Sequence, residues 1–217
     1  MKKILAVFLL LALFAPATSL GESSSGLHLL WGIPFSATAD DFAAQAAAAS
    51  GLDFSINKRQ DGSVVNVSTQ AEASFALGGL DAENVSAIYS PQGRLLSINI
   101  RWVVDQAAPP DQNAAIFAEL LAQLEQQYGP AENAGLFLSS APACDTLCDI
   151  ERTRHPFSTD TIRSAQAEKF EKISATAQIG NVFLSYSCEL VNGKYANHSL
   201  FQKYSNSTVS PLNLSFN

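Results

Sequence analysis

In FAELLAQLEQQY the residues Phe117, Leu120, Leu121, Leu124 and Tyr128 recur at helical spacing and share one face. Asp111, just after Pro109-Pro110, is placed to cap this helix, and Gly129-Pro130 ends it. A stripe of this kind faces a core. A second helix is expected in TADDFAAQAAAASG, with Thr38 as N-cap, Asp41 completing a capping-box pattern and Gly51 as the stop. Its alanines favour helix.

Elsewhere the pattern alternates. Leu96, Ile98, Ile100, Trp102 and Val104 alternate with Ser97, Asn99 and Arg101, which predicts a strand with one dry and one wet face. The turn Ser90-Pro91-Gln92-Gly93 joins it to the strand before it as a hairpin. Two weaker strands, around LDFSINKR and VVNVS, meet at Asp61-Gly62, and Gly78-Gly79 reads as a further turn. Later, Ile173, Ala175, Ala177 and Ile179 alternate before Gly180-Asn181. Val182, Leu184, Tyr186, Cys188 and Leu190 alternate after it, and Asn192-Gly193 makes the next turn. This is a three-stranded meander.

The chain therefore shows a helix and a meander, twice. The expected fold class is α+β, with two helix-plus-antiparallel-meander halves at 22–108 and 109–204 and the helices packed on one face of antiparallel sheet. Trp102 has core parity, and Trp31, Ile33 and Phe35 are expected to pack the chain entry onto the sheet. The polar stretch 139–164 reads as a loop inserted in the second half. Residues 205–217 read as a tail, although Leu212, Leu214 and Phe216 alternate as an edge strand would.

The first residues change the picture. Lys2 and Lys3 precede an apolar run from Ile4 to Ala15, and two small-residue cleavage frames follow, at Ala15-Pro16-Ala17 and Ser19-Leu20-Gly21. This is the pattern of a secretory signal peptide over 1–21. The run is shorter than the roughly 20 apolar residues of a membrane span. No cysteine stands at the cleavage site to carry a lipid anchor, so a periplasmic or secreted location is expected. The formal charge is −7, and loss of the two lysines takes it to −9. That balance argues against nucleic acid and anionic lipid as partners.

Candidate chemistry is sparse. No G-x-S-x-G elbow, G-x-G-x-x-G loop or Walker motif occurs, and His28, His155 and His198 each stand alone. Asp40 and Asp41 are explained by the dipole of the helix they begin. No catalytic residue, cofactor or metal site is assigned. The stretch CDTLCDIERTRH holds Cys144, Cys148 and His155. A metal would need three or four such ligands in fixed geometry. An exported loop more readily forms a Cys144–Cys148 disulfide, with about 2 kcal/mol of loop-closure stabilisation. Pairing of either cysteine with Cys188 remains open, and a thiol- or copper-handling role for Cys144, Cys148 and His155 is the alternative. Cys188 shares the parity of its apolar strand neighbours and is expected to be buried.

The segments LWGIPFSATADDF, GRLLSINIRW and FAELLAQLEQQYGP together resemble, over 27–138, small exported bacterial proteins of the β-lactamase-inhibitor-protein and SmpA/OmlA-like kind. The resemblance implies helix-plus-antiparallel-sheet units that bind other proteins. It carries over no functional residue. The expected function is non-enzymatic binding of a protein or a cell-envelope component.

Overall fold

The structure, a computed structural model, describes residues 27–70, 74–139 and 153–206. Helix α1 spans Ala39–Ser50. Its cap is the one read from the sequence: the Thr38 hydroxyl accepts from the Asp41 N–H at 3.2 Å and donates to the Asp41 carboxylate at 2.7 Å. Gly51 closes the helix in the left-handed region, at φ 72°. Helix α2 spans Pro110–Tyr128, and Phe117, Leu120, Leu121 and Leu124 are buried as expected. Its start differs from the expectation. Pro109 holds the N-cap position and Asp111 lies inside the first turn, where its carboxylate accepts from Arg163 at 3.0 Å. The first helical position leaves its backbone donor without an intrahelical partner, so a proline loses nothing there, and the helix begins two residues earlier.

Ten strands form one antiparallel sheet: β1 (Phe54–Lys58), β2 (Val64–Thr69), β3 (Phe75–Leu77), β4 (Leu80–Tyr89), β5 (Leu95–Trp102), β6 (Asn133–Ser139), β7 (Thr153–His155), β8 (Lys172–Ile179), β9 (Val182–Val191) and β10 (Lys194–Ser205). The order across the sheet is β1-β2-β4-β5-β10-β9-β8-β6-β7, and β3 pairs with the start of β4. The turns at Gly62, Gly78-Gly79, Gly93, Gly180 and Gly193 fall where the glycines were read. The fold is thus a mixed one of helices and an open antiparallel sheet, as expected in class.

One register of buried side chains crosses most of the sheet. Ile179, Val182, Tyr204, Ile98, Ala87 and Val67 lie opposite one another on successive strands, and all are buried. Leu136, Ala175, Tyr186, Leu200, Trp102 and Ala82 form a parallel row. From this face Tyr89 donates to the carbonyl of Thr38 at 3.1 Å, at the entry to α1. Tyr186 donates to the carbonyl of Pro110 at 3.2 Å, at the start of α2. Each tyrosine therefore ties a helix start to the sheet and gives its own buried hydroxyl a partner.

Two differences have physical causes. The pairing slips between Ile88↔Ser97 and Tyr89↔Leu95, which inserts a bulge at the start of β5. Leu95 takes the buried place, and Leu96, expected on the dry face, is 46% exposed. The polar stretch read as an inserted loop at 139–164 holds β7 and most of a third helix, α3 (Thr159–Ala167). Ser158 caps α3 by accepting from the Thr161 N–H at 3.0 Å. Ile162 and Ala165 are its buried contacts, and α3 packs on α2.

Candidate functional site on the polar sheet face

Strand alternation turns every second side chain away from the buried rows. One such row runs Asn84, Arg101, Phe201, Ser185, Thr176 and Gly135 across six strands. The next runs Ser86, Asn99, Lys203, Phe183, Gln178 and Asn133. A third holds Ser199, Ser187, Ser174 and Phe137. The face is a field of hydroxyl and amide side chains. Phe137, Phe183 and Phe201 are half-buried on it.

The polar groups form local contacts but leave capacity. Ser187 and Ser199 hydroxyls meet at 3.0 Å, and the Asn57 amide donates to Asn66 at 2.7 Å. Charge on the face is sparse. Lys172 pairs with Glu189 at 3.2 Å, and Arg101 has Glu83 at 3.9 Å with both side chains exposed. Among the described residues no carboxylate lies within ion-pair distance of Lys203.

The candidates read from the sequence fall in separate places. Cys144 and Cys148, with the disulfide expected between them, lie outside the described residues. His155 sits on β7 opposite Leu136. Cys188 is buried on β9, as its parity implied, and burial pushes its thiol up to about 11. Trp102 is buried, while Trp31 is half-buried with its ring edge-on to Phe54 at 6.4 Å. Among the described residues no three His, Cys, Asp or Glu side chains gather as a metal site would require.

Histidines 28 and 198 serve the fold. The His28 ring stacks on Tyr128 at 4.2 Å, and its backbone is held by Asn181. His198 is buried, with its Nδ1 at 3.0 Å from the Tyr186 hydroxyl. Burial lowers the pKa of both rings. The Nε2 of His198 and the Nε1 of Trp102 are buried without a hydrogen-bond partner among the described residues, which costs stability rather than conferring it.

A cleft of about 460 Å³ opens between the β3–β4 turn, the 103–108 loop and the first turns of α2. Two of its polar lining residues, Asn113 and Asp105, are committed to the loop. Asn113 accepts from the Asp105 N–H at 3.1 Å and donates to the Asp105 carbonyl at 2.7 Å. The Asp105 carboxylate accepts from the Ala107 N–H at 2.8 Å. That leaves Asp81 and Gln112 as the polar side chains of the cleft outside this network, few for a small-molecule site. The polar sheet face is the stronger candidate, and sequence reading saw only its β5 portion, Ser97, Asn99 and Arg101.

No family model, curated protein or solved structure matches the chain.

Proposed function

We propose that this is an exported, non-enzymatic binding protein whose polar sheet face engages a protein or a cell-envelope component. The observation that carries the reading is the composition of that face: three half-buried phenylalanines set in Ser, Thr and Asn side chains on one continuous sheet. Aromatic residues among adaptable polar groups are the make-up of recognition surfaces. In this reading each half of the chain contributes one helix and one set of strands. The first half supplies β1, β2, β4 and β5, the second supplies β10, β9, β8 and β6, and the two sets join at β5 and β10. Helices α1 and α2 then share the dry face and leave the other free. The hydrogen bonds from Tyr89 and Tyr186 support that placement.

The test is capture from a native envelope extract with tagged protein lacking residues 1–21. The wild type is compared with Phe183→Ala/Phe201→Ala and with Glu119→Ala on α2. A component retained by wild type and Glu119→Ala but lost by the double variant supports the reading. Equal capture by all three, or none by any, refutes it. Export is checked separately by N-terminal sequencing of the extracytoplasmic protein, expected to start near Thr18 or Glu22; a retained Met1 in membranes would contradict it.

A further inference from the structure

We infer that the polar sheet face binds a polysaccharide that carries carboxylates, with Phe183 and Phe201 as the stacking platform and Arg101 and Lys203 as the acid-recognising groups. This rests on the binding role proposed above and names its ligand.

The register places these four side chains together. Phe201 lies between Arg101 on β5 and Ser185 on β9, and Lys203 lies between Asn99 and Phe183 one row along. A ring on β10 and a ring on β9 thus sit diagonally across two paired strands, within the reach of aromatic side chains. A cation stands beside each ring. Sugar rings present C–H groups on one side and hydroxyls around the rim. Half-buried phenylalanines match the first, and Asn99 and Ser185 match the second. Of the two partner classes proposed above, the glycan fits better, because the buried core of a protein interface is more apolar than this face. Apart from the phenylalanines, the rows through Phe183 and Phe201 hold no apolar side chain larger than a threonine's.

Charge selects the acidic form. The chain as a whole is acidic, at −7. Its carboxylates stand largely on helices and loops, among them Asp40, Asp41, Asp111, Glu119, Glu125 and Asp160. On the face, Glu189 is paired with Lys172 and Glu83 is 3.9 Å from Arg101, while Lys203 has no acidic neighbour among the described residues. Among the described residues the centre of the face therefore holds two cations, Arg101 and Lys203, against one carboxylate, Glu83, within an acidic molecule. At physiological salt the screening length is about 8 Å, so a ligand on the face senses Arg101, Lys203 and Glu83 more than the charges of the helices.

The experiment is affinity electrophoresis of the purified protein lacking residues 1–21 through gels containing polygalacturonate, dextran or poly-glutamate. Retardation by polygalacturonate alone is expected. Lys203→Gln and Phe201→Ala are each expected to weaken it about tenfold, the loss of one good contact. Unchanged urea midpoints establish that both variants are folded. Lys203→Gln, a substitution at a half-buried polar site, keeps the test open if Phe201→Ala does not fold. No retardation in any gel overturns the glycan assignment but leaves the capture experiment to judge the binding role. Retardation by poly-glutamate equal to that by polygalacturonate means charge attraction only and also overturns it, as does binding that both substitutions leave intact.

Discussion

Asn181 offers the sharpest test of how the chain entry is held to the sheet. It sits in the β8–β9 turn, 4% exposed. Its side-chain oxygen accepts from the His28 N–H at 2.7 Å, and its amide donates to the carbonyls of His28 at 2.9 Å and Ser205 at 3.0 Å. One side chain thus joins the start of the described chain, a tight turn and the end of β10. Asn181 is not among the residues with positive φ, so Asn181→Ala introduces no backbone strain. Each hydrogen bond is worth about 0.5–1.5 kcal/mol net. The His28 contacts are partly wet and the Ser205 contact is buried, so the expected loss is about 2–4 kcal/mol. With a urea m-value of about 3 kcal/mol/M, that is a midpoint shift near ~1 M. The exposed Asn57, bonded to Asn66 at 2.7 Å, is the control; Asn57→Ala is expected to change stability by under about 0.5 kcal/mol. Asn181→Asp keeps the acceptor for His28 but turns both donations into repulsion, so it should destabilise at neutral pH and recover as the carboxyl protonates in acid. A midpoint for Asn181→Ala no lower than that of Asn57→Ala would show that the reasoning is wrong.

Leu121→Ala and Trp102→Ala truncate buried side chains and are each expected to cost about 2–5 kcal/mol, read from urea midpoints; unchanged midpoints would contradict the core assignment. Cys188, buried and with its thiol pushed up to about 11, should react slowly with iodoacetamide at neutral pH and quickly once the protein is unfolded in urea. The unfolded thiol ionises before the folded one, so its contribution to stability is present below the thiol's ordinary pKa and declines as pH rises toward about 11. His198 behaves oppositely: burial lowers its pKa from 6.5, so the unfolded state takes up the proton first and stability falls as pH drops below that value. His198→Gln should flatten this acid-side slope in urea titrations at successive pH values; an unaltered slope would assign it to other groups.

Both long helices and the hairpins were legible because their signals are local. Thr38, Gly51, Gly62, Gly93 and Gly180 act within a few residues of themselves. Strand β6 escaped because NAGLFLS is a short run whose partner, β8, lies beyond the cysteine stretch. Helix α3 escaped because only Ile162 and Ala165 mark its buried side, though Ser158 is a good cap and was available as a signal. The bulge that exposes Leu96 depends on how Tyr89 and Leu95 pair, which alternation alone does not show. The candidate face was half legible. Ser97, Asn99 and Arg101 read as wet, but their union with Phe183 and Phe201 depends on β5 lying beside β10. That contact is long-range and carries no local signature.

The same seam has a consequence for biogenesis. Trp102 on β5 waits for Leu200 on β10, about a hundred residues later. A polypeptide emerging N-terminus first displays the inner edge of β5 until α2, β6, β7, α3, β8, β9 and then β10 have arrived. During that interval the stretch from Ile98 to Trp102, paired with β4 on one side only, has an open edge and a hydrophobic face, open to pairing with another copy. A chain stopped before Lys194 is expected to aggregate rather than fold as half a sheet, and light scattering of such a fragment measures it. A soluble, cooperatively folded fragment would show that the first half closes its own edge. If the seam behaves as described, a strand made about a hundred residues after β5 is the one that protects the middle of the sheet.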